Sequence, residues 1–319
     1  MNQLLQRLSV LEAGESPAVR YCGRLLSLAG ADVDYDATAR HRRPPTAVDD
    51  YLDHGKRPLE SPDASAGGYD LVIGDPGYDW DGLPGEVVTG TVDPFSATGS
   101  RAAWTASEMV LASIGGSTNY TMASDGTPVY GFGRRFQYLA GTYLYTALVS
   151  LLGVEPPARP VHPRVRVAND EVVTALLPYG TTQYAYNGTT TTVEQSGPRF
   201  VAACSDGYLC VYAGGSWADQ AELLGDIVDP EDPRFTAIGS RFAHAEELGE
   251  LIQKWSGNHT VAEAVRAADA ASVAVAPCYE LADAVADASL FENGVLTRER
   301  LDDREVVLAG LAYHVRETS

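Results

Sequence analysis

Lysine is nearly missing from this chain of 319 residues, because only Lys56 and Lys254 occur. Acidic residues outnumber Lys and Arg by 43 to 23, which gives a formal net charge of −20. A nucleic-acid backbone requires a basic protein face, so this charge argues against nucleic-acid binding. Any anionic ligand must instead find a local cluster of arginines against an unfavourable overall field.

Long apolar runs are missing as well. No run reaches the roughly 18–20 residues that a membrane span needs, and the longest candidate, 136–153, is rich in Tyr and small residues. The N-terminal stretch shows no cleavage-site pattern, so no signal peptide is expected. The four cysteines have neither CxxC nor metal-ligand spacing, and a chain of this size needs no disulfide framework. We therefore expect a cytoplasmic protein with no membrane partner and no metal.

The composition is that of a folded α/β protein, since 45% of the residues are apolar and 31 glycines and 18 prolines punctuate the chain. Its length suits one large core or two smaller ones. A βαβ unit opens the chain, because Ser16 and Pro17 provide a helix N-cap and first turn after a short apolar stretch. The helix is predicted to end at Gly30, a second strand to start at 31–33, and a third to lie within 67–77.

Farther along, region 106–152 is predicted to be mostly helical, and the polar, Thr-rich stretch 179–198 is predicted to be a loop or linker. Residues 199–215 alternate around Ser205-Asp206-Gly207, which predicts a hairpin. Amphipathic helices follow, then one more strand and helix, and the tail after Phe291 is short and mixed.

Two adjacent carboxylates, Asp170 and Glu171, occupy an unusual place in the stretch RVRVANDEVVTALLPY, residues 164–179. They lie where a strand-like Val-x-Val meets an apolar, helix-like run. Charges are seldom found there unless they cap the helix or do chemistry. An acid in a first turn also favours the helix dipole, so capping alone is the alternative to a catalytic role.

A series of short stretches runs along nearly the whole chain in the order of a known family. They are SPAVRYCGRLLSLAGADV (16–33), HGKRPLE (54–60), YDLVIGDPG (69–77), DPFSATGSRAAW (93–104), SEMVLASIGG (107–116), YLAGTYLYTALVSLLG (138–153) and SDGYLCVYAGG (205–215). Together they resemble the class III CoA-transferase family, which includes formyl-CoA transferase, carnitine-CoA transferase and the α-methylacyl-CoA racemases. One departure is Gly74-Asp75-Pro76-Gly77, which stands where the family has N-F-R-P-G.

The resemblance implies an α/β fold with a Rossmann-like large domain and a smaller α/β domain. The large, CoA-binding domain would cover 1–198 and be completed by 281–319, and the small domain would cover 199–280. The family forms an interlocked homodimer, and the polar stretch before residue 199 would suit a threaded connection.

The resemblance also implies a reaction, the transfer of CoA between carboxylic acids through a covalent aspartyl intermediate. Counting 29 residues from Gly141, which matches a glycine of the family's long helix, places the nucleophile at Asp170. A slip of one residue, which aligns the two Val-x-Val strands, places it at Glu171. Coenzyme A and acyl-CoA would be substrates, and no permanently bound cofactor is expected.

Binding of CoA requires partners for its phosphates and its pantetheine arm. The resemblance assigns the pantetheine or nucleotide contact to the loop at Ser16 and Pro17. Phosphate ligation would fall to cations that cluster after the second strand, with one further candidate before the long helix. These cations are Arg40, Arg42, Arg43, Lys56, Arg57 and Arg134. Arginine suits the task because its planar fork grips phosphate and stacks on purines.

Two other functions remain open. The racemase branch of the family pairs an Asp with a His across the α-carbon of an acyl-CoA, but none of the six histidines lies in 105–160, where the His would be expected. A racemase-like isomerase is therefore less favoured. The departure at Asp75 leaves a third reading, a non-catalytic CoA-binding subunit that has lost its activity.

Overall fold

The chain divides into two compact units in a computed structural model. The model describes residues 4–38, 40, 46–123, 125–154, 161–190, 198–301 and 303–314. The first unit combines residues 1–188 with 289–319, and the second spans residues 189–288. The expectation from the sequence places the corresponding boundaries after residue 198 and before residue 281.

The first unit is built on a sheet of six parallel strands in the order β3-β2-β1-β4-β5-β6. The strands are β1 (Ser9–Glu12), β2 (Asp32–Asp36), β3 (Arg57–Leu59), β4 (Leu71–Gly74), β5 (Val88–Asp93) and β6 (Arg164–Ala168). This is the doubly wound order of dinucleotide-binding folds, in which the strand order reverses between β1 and β4. The expected α/β, Rossmann-like fold is confirmed.

Helices lie between several of these strands and after β6. Those before residue 189 are α1 (Pro17–Leu28), α2 (Ala47–Asp53), α3 (Glu108–Ile114), α4 (Ser117–Tyr120), α5 (Arg135–Leu152), α6 (Asn169–Ala175) and α7 (Pro178–Asn187). Helix α1 begins as predicted, because the Ser16 hydroxyl accepts the Val19 N–H and Pro17 occupies the first turn. Gly141 lets α5 lie against α1, since a Cβ there would stand 2.4 Å from the Ala18 carbonyl oxygen. No helix in the described part of the chain is long and apolar enough to cross a membrane.

The main core of the first unit lies between the sheet and helices α1 and α5. Its largest members are fully buried, and each contributes about 1.5–3 kcal/mol of burial free energy. They include Leu26, Leu71, Ile73, Leu144 and Leu148. Every residue of β4 and β5 is buried, as is usual for central strands of a parallel sheet.

The second unit contains a three-stranded antiparallel sheet in the order β7-β8-β9. Its elements are β7 (Arg199–Ala203), β8 (Tyr208–Tyr212), α8 (Trp217–Leu224), α9 (Pro233–Thr236), α10 (Ile238–Ala243), α11 (Ala245–Ser256), α12 (Val261–Ala270), β9 (Val275–Pro277) and α13 (Leu281–Ala286). The predicted hairpin is confirmed: the Cys204 N–H donates to the Gly207 carbonyl at 2.8 Å. All four cysteines are free thiols.

The last segment contains more structure than the sequence indicates. Helix α14 (Ala288–Glu292) precedes an antiparallel hairpin of β10 (Leu296–Leu301) and β11 (Arg304–Ala309). The hairpin was not predicted, because charged residues interrupt the alternation of apolar positions in both strands.

The prediction of a loop over 179–198 is wrong for its first half, which is helix α7. Pro178 occupies the first turn of this helix. Gly188 ends it in the left-handed conformation with φ of 72°, and its N–H donates to the Tyr184 carbonyl at 2.8 Å. A first-turn proline and a terminal glycine are ordinary helix boundaries, and here they override the polar composition. Residues 191–197 lie outside the described residues.

Candidate active site

Asp170 lies at the carboxyl end of the sheet, where strand β6 passes directly into helix α6. Strand β6 pairs with β5 in a register that sets Ala168 opposite Asp93. Ala168 then caps α6, so Asp170 falls in the first turn. The Asp170 N–H donates to the Pro94 carbonyl at 3.2 Å, which ties the helix start to the loop after β5. Open α/β sheets bind ligands at this edge.

The Asp170 carboxylate is poorly satisfied by the protein around it. Its side chain is only 16% exposed, and its Oδ1 atom is buried without a hydrogen-bond partner in the described structure. The neighbouring Asn169 is also buried and has no partner for either amide atom, and the Thr91 hydroxyl on β5 has none. Unpaired buried polar atoms are costly and uncommon in folded proteins. Their occurrence at and near the carboxyl ends of β5 and β6 makes this region a candidate ligand site.

An open groove of about 530 Å³ adjoins this carboxylate, between helices α6 and α7. It is lined by Asp170, Glu171, Thr174, Ala175, Pro178 and Thr181. Glu171 is exposed, whereas Asp170 is mostly buried. A carboxylate nucleophile needs a fixed position and limited hydration, so the geometry favours Asp170 of the two candidates. None of the described residues that line the groove is a histidine.

Arg101 is the cation that stands beside this carboxylate. Its NH1 atom lies 3.9 Å from Asp170 Oδ2, and its guanidinium carbon lies 6.0 Å from the centre of the Trp104 ring. The sequence reasoning did not single it out, although a cation in an acidic chain, within a stretch that matches the family, was a usable signal.

Close packing fixes helix α6. Val173 is fully buried, and a Cβ on Gly115 would stand 2.4 Å from its Cγ1 atom. The Glu108 carboxylate accepts the N–H groups of Phe136 and Gln137 at the start of α5, at 2.6 and 3.3 Å. Burial raises the pKa of Glu108, and those two hydrogen bonds oppose the shift. The helix that carries Asp170 is therefore tightly packed against Gly115 at Val173.

Lys56 and Arg40, two predicted phosphate ligands, are brought together in a buried ion-pair cluster around Glu12. Glu12 and Lys56 are fully buried, and Lys56 Nζ donates to Glu12 Oε2 at 2.6 Å. Arg40 donates to the other Glu12 oxygen. A Cβ on Gly23 would stand only 1.7 Å from Glu12 Oε2. Burial lowers the pKa of the Lys56 ammonium, and the charge of Glu12 opposes the shift.

The same cluster extends to helix α2. Arg40 NH1 lies 2.6 Å from Asp53 Oδ1, and Arg20 pairs with Asp53 at 2.8 Å and with Asp49 at 2.7 Å. Three cations therefore face three carboxylates. Their roles as CoA ligands remain predictions, and in this structure Arg40 and Lys56 are engaged by the protein itself.

The loop at Ser16 and Pro17 is also occupied by an internal group. The Asp75 carboxylate accepts the backbone N–H groups of Glu15 at 2.6 Å and of Ser16 at 3.0 Å. It therefore takes the anion position in front of helix α1, which phosphate occupies in many nucleotide-binding folds. Sequence reasoning noted Asp75 as a departure but not this contact, which joins loops after β1 and β4.

Two of the remaining predicted ligands, Arg57 and Arg134, are exposed, and neither pairs with Asp170 in the described part of the chain. Arg57, 71% exposed, binds Asp34 through two hydrogen bonds of 2.7 Å. Arg134 is exposed at the start of α5. Arg42 and Arg43 lie outside the described residues. No group of three metal-ligating side chains occurs in the described ranges.

Fold and site together define an α/β protein with a doubly wound parallel sheet and a largely buried, incompletely hydrogen-bonded carboxylate at its carboxyl edge. A family model described as CoA-transferase family III matches residues 84–319. The chain belongs to this family, which confirms the resemblance in its sequence. Asp170 and its groove lie inside the matched region, and β1 to β4 lie before it.

A curated relative agrees with this assignment. The chain is 27% identical over 203 residues to the probable CoA-transferase Rv1866 of Mycobacterium tuberculosis. That match covers 58% of this chain but 24% of the relative, so the chain spans about a quarter of the relative's length.

Solved structures show the same fold. A CaiB/BaiF family protein from Brucella suis superposes with a TM-score of 0.81 at 19% identity, over 99% of this chain and 97% of that chain. Rv3272 from M. tuberculosis gives a TM-score of 0.80 at 18% identity, over 98% and 93%.

Proposed function

We propose that this chain transfers CoA between carboxylic acids through covalent intermediates on Asp170. The observation that carries the proposal is the Asp170 carboxylate, held at the start of α6 with one buried, unpartnered oxygen beside the groove. Family membership supports acyl-CoA thioesters and carboxylic acids as the substrates.

The reaction would begin when an Asp170 oxygen attacks the acyl-CoA carbonyl. The carbon–sulfur bond breaks, and an acyl–aspartyl anhydride and CoA thiolate form. The thiolate then attacks the Asp170 carboxyl carbon, which releases the donor acid and leaves an aspartyl-CoA thioester. The acceptor carboxylate attacks this thioester and expels the thiolate. The thiolate finally attacks the acceptor's carbonyl in the new anhydride, which yields the new acyl-CoA and free Asp170. Such covalent catalysis divides one difficult exchange into easier steps.

Trapping with hydroxylamine tests this mechanism. The purified chain is incubated with acetyl-, butyryl-, succinyl- and benzoyl-CoA in turn, quenched with hydroxylamine, and examined by mass spectrometry across residues 164–179. We expect a hydroxamate at Asp170 with at least one donor. It should disappear in Asp170→Asn and persist in Glu171→Gln. A hydroxamate at Glu171 instead would move the nucleophile by one residue.

The second candidate is a non-catalytic CoA-binding subunit. Its support is the engagement of Arg40 and Lys56 in ion pairs and of the helix α1 start by Asp75. An unmodified peptide with every donor, in a chain that still binds CoA, would favour this function over transfer.

We also propose that the chain acts as a homodimer. Helix α7 bears three tyrosines that are largely exposed, Tyr179, Tyr184 and Tyr186, and exposed aromatic patches commonly mark interfaces. Sedimentation velocity should give twice the chain mass of 34.0 kDa. A monomer at all concentrations would contradict the proposal.

A further inference from the structure

During the proposed reaction a negative charge passes from Asp170 to other groups, whereas the positive charge of Arg101 stays in place. Asp170 is anionic when free and neutral in the anhydride and in the thioester. In the intermediates the charge lies on the CoA thiolate or on a substrate carboxylate. Arg101 has its NH1 atom 3.9 Å from Asp170 Oδ2 and is therefore a fixed cation beside the carboxyl group at which these charges change.

The guanidinium of Arg101 has N–H donors that the described residues do not use. Its side chain is 47% exposed. Apart from the ion pair with Asp170 it contacts the Trp104 ring, and it donates no hydrogen bond to any described residue. An arginine offers five N–H donors in a planar fork that matches a carboxylate. Arg101 does not itself line the groove, but its NH1 atom is 3.9 Å from Oδ2 of the groove-lining Asp170. Its donors are therefore available to a carboxylate that binds beside Asp170.

The loop that carries Arg101 is fixed relative to Asp170 by two anchors. Near its start, the Pro94 carbonyl accepts the Asp170 N–H at 3.2 Å. Phe95 is buried in the same core cluster as Val173 of helix α6. At the far end, the Trp104 ring packs edge-on against Phe95, with 5.9 Å between ring centres. Arg101 lies between these anchors, so its position near Asp170 follows from the packing of the loop.

The residues that line the groove repel an anion. Of its lining residues, Asp170 and Glu171 are acidic, and the other four carry no charge. The chain as a whole has a net charge of −20. A carboxylate that approaches a neutralised Asp170 therefore meets repulsion from Glu171 and attraction from Arg101.

We propose that Arg101 binds the carboxylate of the acceptor acid beside acylated Asp170 and makes this site selective for an anionic attacking group. The inference rests on the proposed function, because it requires an adduct on Asp170. When Asp170 becomes neutral, Arg101 loses its partner, and the acceptor carboxylate replaces it. No proton has to move, since the attacking group and the leaving thiolate are both anions.

The test separates attack by an anion from attack by a neutral group. The CoA adduct is formed with the donor that gives the strongest hydroxamate and is freed of donor acid by rapid desalting. Its decay is then followed with the free acid of that donor or with hydroxylamine. For Arg101→Gln we expect decay with the carboxylate to slow by about 10²-fold, comparable to loss of a preorganised charged contact. Decay with neutral hydroxylamine should stay within about threefold, because that attack involves no charge–charge contact.

Two further variants complete the comparison. Arg101→Lys keeps the charge but loses the fork, and we expect an intermediate loss with the carboxylate, about tenfold. Arg298→Gln removes another exposed arginine, on the β10–β11 hairpin, where it pairs with exposed Glu305 and lies over the Phe291 ring. It should decay like the wild-type chain with both nucleophiles, which controls for overall charge.

The outcomes are distinct. Equal slowing of both nucleophiles in Arg101→Gln would show that Arg101 only shapes Asp170, and no slowing of either would show that it does nothing; both results overturn the inference. A wild-type chain that forms no adduct overturns the proposed function and this inference with it.

Discussion

Two sites with carboxylates, one around Glu12 and one at Asp170, lie at the same edge of one parallel sheet and differ in how fully the protein pairs them. At the end of β1, both oxygens of Glu12 are paired with cations, and the cluster balances three positive against three negative charges. At the end of β6, Asp170 keeps one buried oxygen unpaired and one loose contact at 3.9 Å. The first arrangement leaves no carboxylate oxygen of Glu12 without a cation, and the second leaves an Asp170 oxygen open to a further partner.

The two sites lie on opposite sides of the start of the family match. Residues 1–83, which hold the Glu12 cluster and Asp75, lie outside the matched region, whereas Asp170 and Arg101 lie inside it. The fold is nonetheless continuous, because the structural similarity covers nearly all of the chain.

The largest effect on stability is expected when the ion-pair cluster around Glu12 is broken. Lys56→Met removes a fully buried partner of Glu12 and should lower the free energy of unfolding by about 3–5 kcal/mol, because it leaves charge without compensation in the interior. Urea unfolding followed by circular dichroism measures it.

The matched control is Asp170→Asn, which should change that free energy by no more than about 1 kcal/mol, since no close hydrogen bond is lost there. If Asp170→Asn were as destabilising as Lys56→Met, Asp170 would be a structural residue and the contrast would fail.

A smaller effect is expected when the packing of helix α6, which carries Asp170, is disturbed. Gly115→Ala places a methyl group 2.4 Å from the Val173 Cγ1 atom, so α6 must shift. We expect a stability loss of about 1–3 kcal/mol and about 10- to 100-fold slower formation of the Asp170 adduct. The double variant Gly115→Ala/Val173→Ala should recover only part of both, because the Cβ atom at residue 173 would still stand 2.6 Å from the added methyl group.

Gly239→Ala serves as the control for this pair, because no atom lies within 4 Å of the added methyl group. Normal adduct formation in the single Gly115 variant would show that the position of α6 does not control Asp170.

The smallest effect concerns Glu108. Its pairing is intermediate between that of Glu12 and that of Asp170, because it is partly buried and accepts two backbone N–H groups but pairs with no cation among the described residues. Burial raises its pKa above the ordinary 4.5. The folded state therefore keeps this proton to a higher pH than the unfolded chain does. Its contribution is fully present below the unfolded pKa and is lost as the pH rises through the folded pKa.

Glu108→Gln removes this dependence. The stability of the wild-type chain relative to the variant should therefore decline as the pH is raised from about 4 towards 7. Urea midpoints at several pH values for both proteins measure it. A difference that grew with pH would mean that the two helix N–H groups outweigh burial.

The parts of the fold set by neighbouring residues could be predicted from the sequence. Ser16, Pro17 and the apolar positions after them define α1 within one short stretch, and the turn at Ser205-Asp206-Gly207 defines its hairpin. Helix α7 was missed although Pro178 and Gly188 marked its ends, because its polar Thr and Tyr content was given more weight.

The candidate site was predictable only where a resemblance supplied it. Asp170 was found by its match to a family motif, and the choice over Glu171 required the burial that the structure shows. Arg101 and Asp75 act across the sheet edge, on groups far away in sequence. No local pattern predicts such contacts, because they depend on the order and register of the parallel strands.

The register between β5 and β6 has a consequence for how the protein comes to be active. These strands are neighbours in the sheet, yet residues 94–163 separate them along the chain. Pairing over such a distance carries a large loop-closure entropy and is slow compared with helix formation. We expect β6 to join the sheet late in folding. Asp170 then acquires its place beside Arg101 only in a nearly complete molecule, and a partly folded chain carries an ordinary, hydrated aspartate.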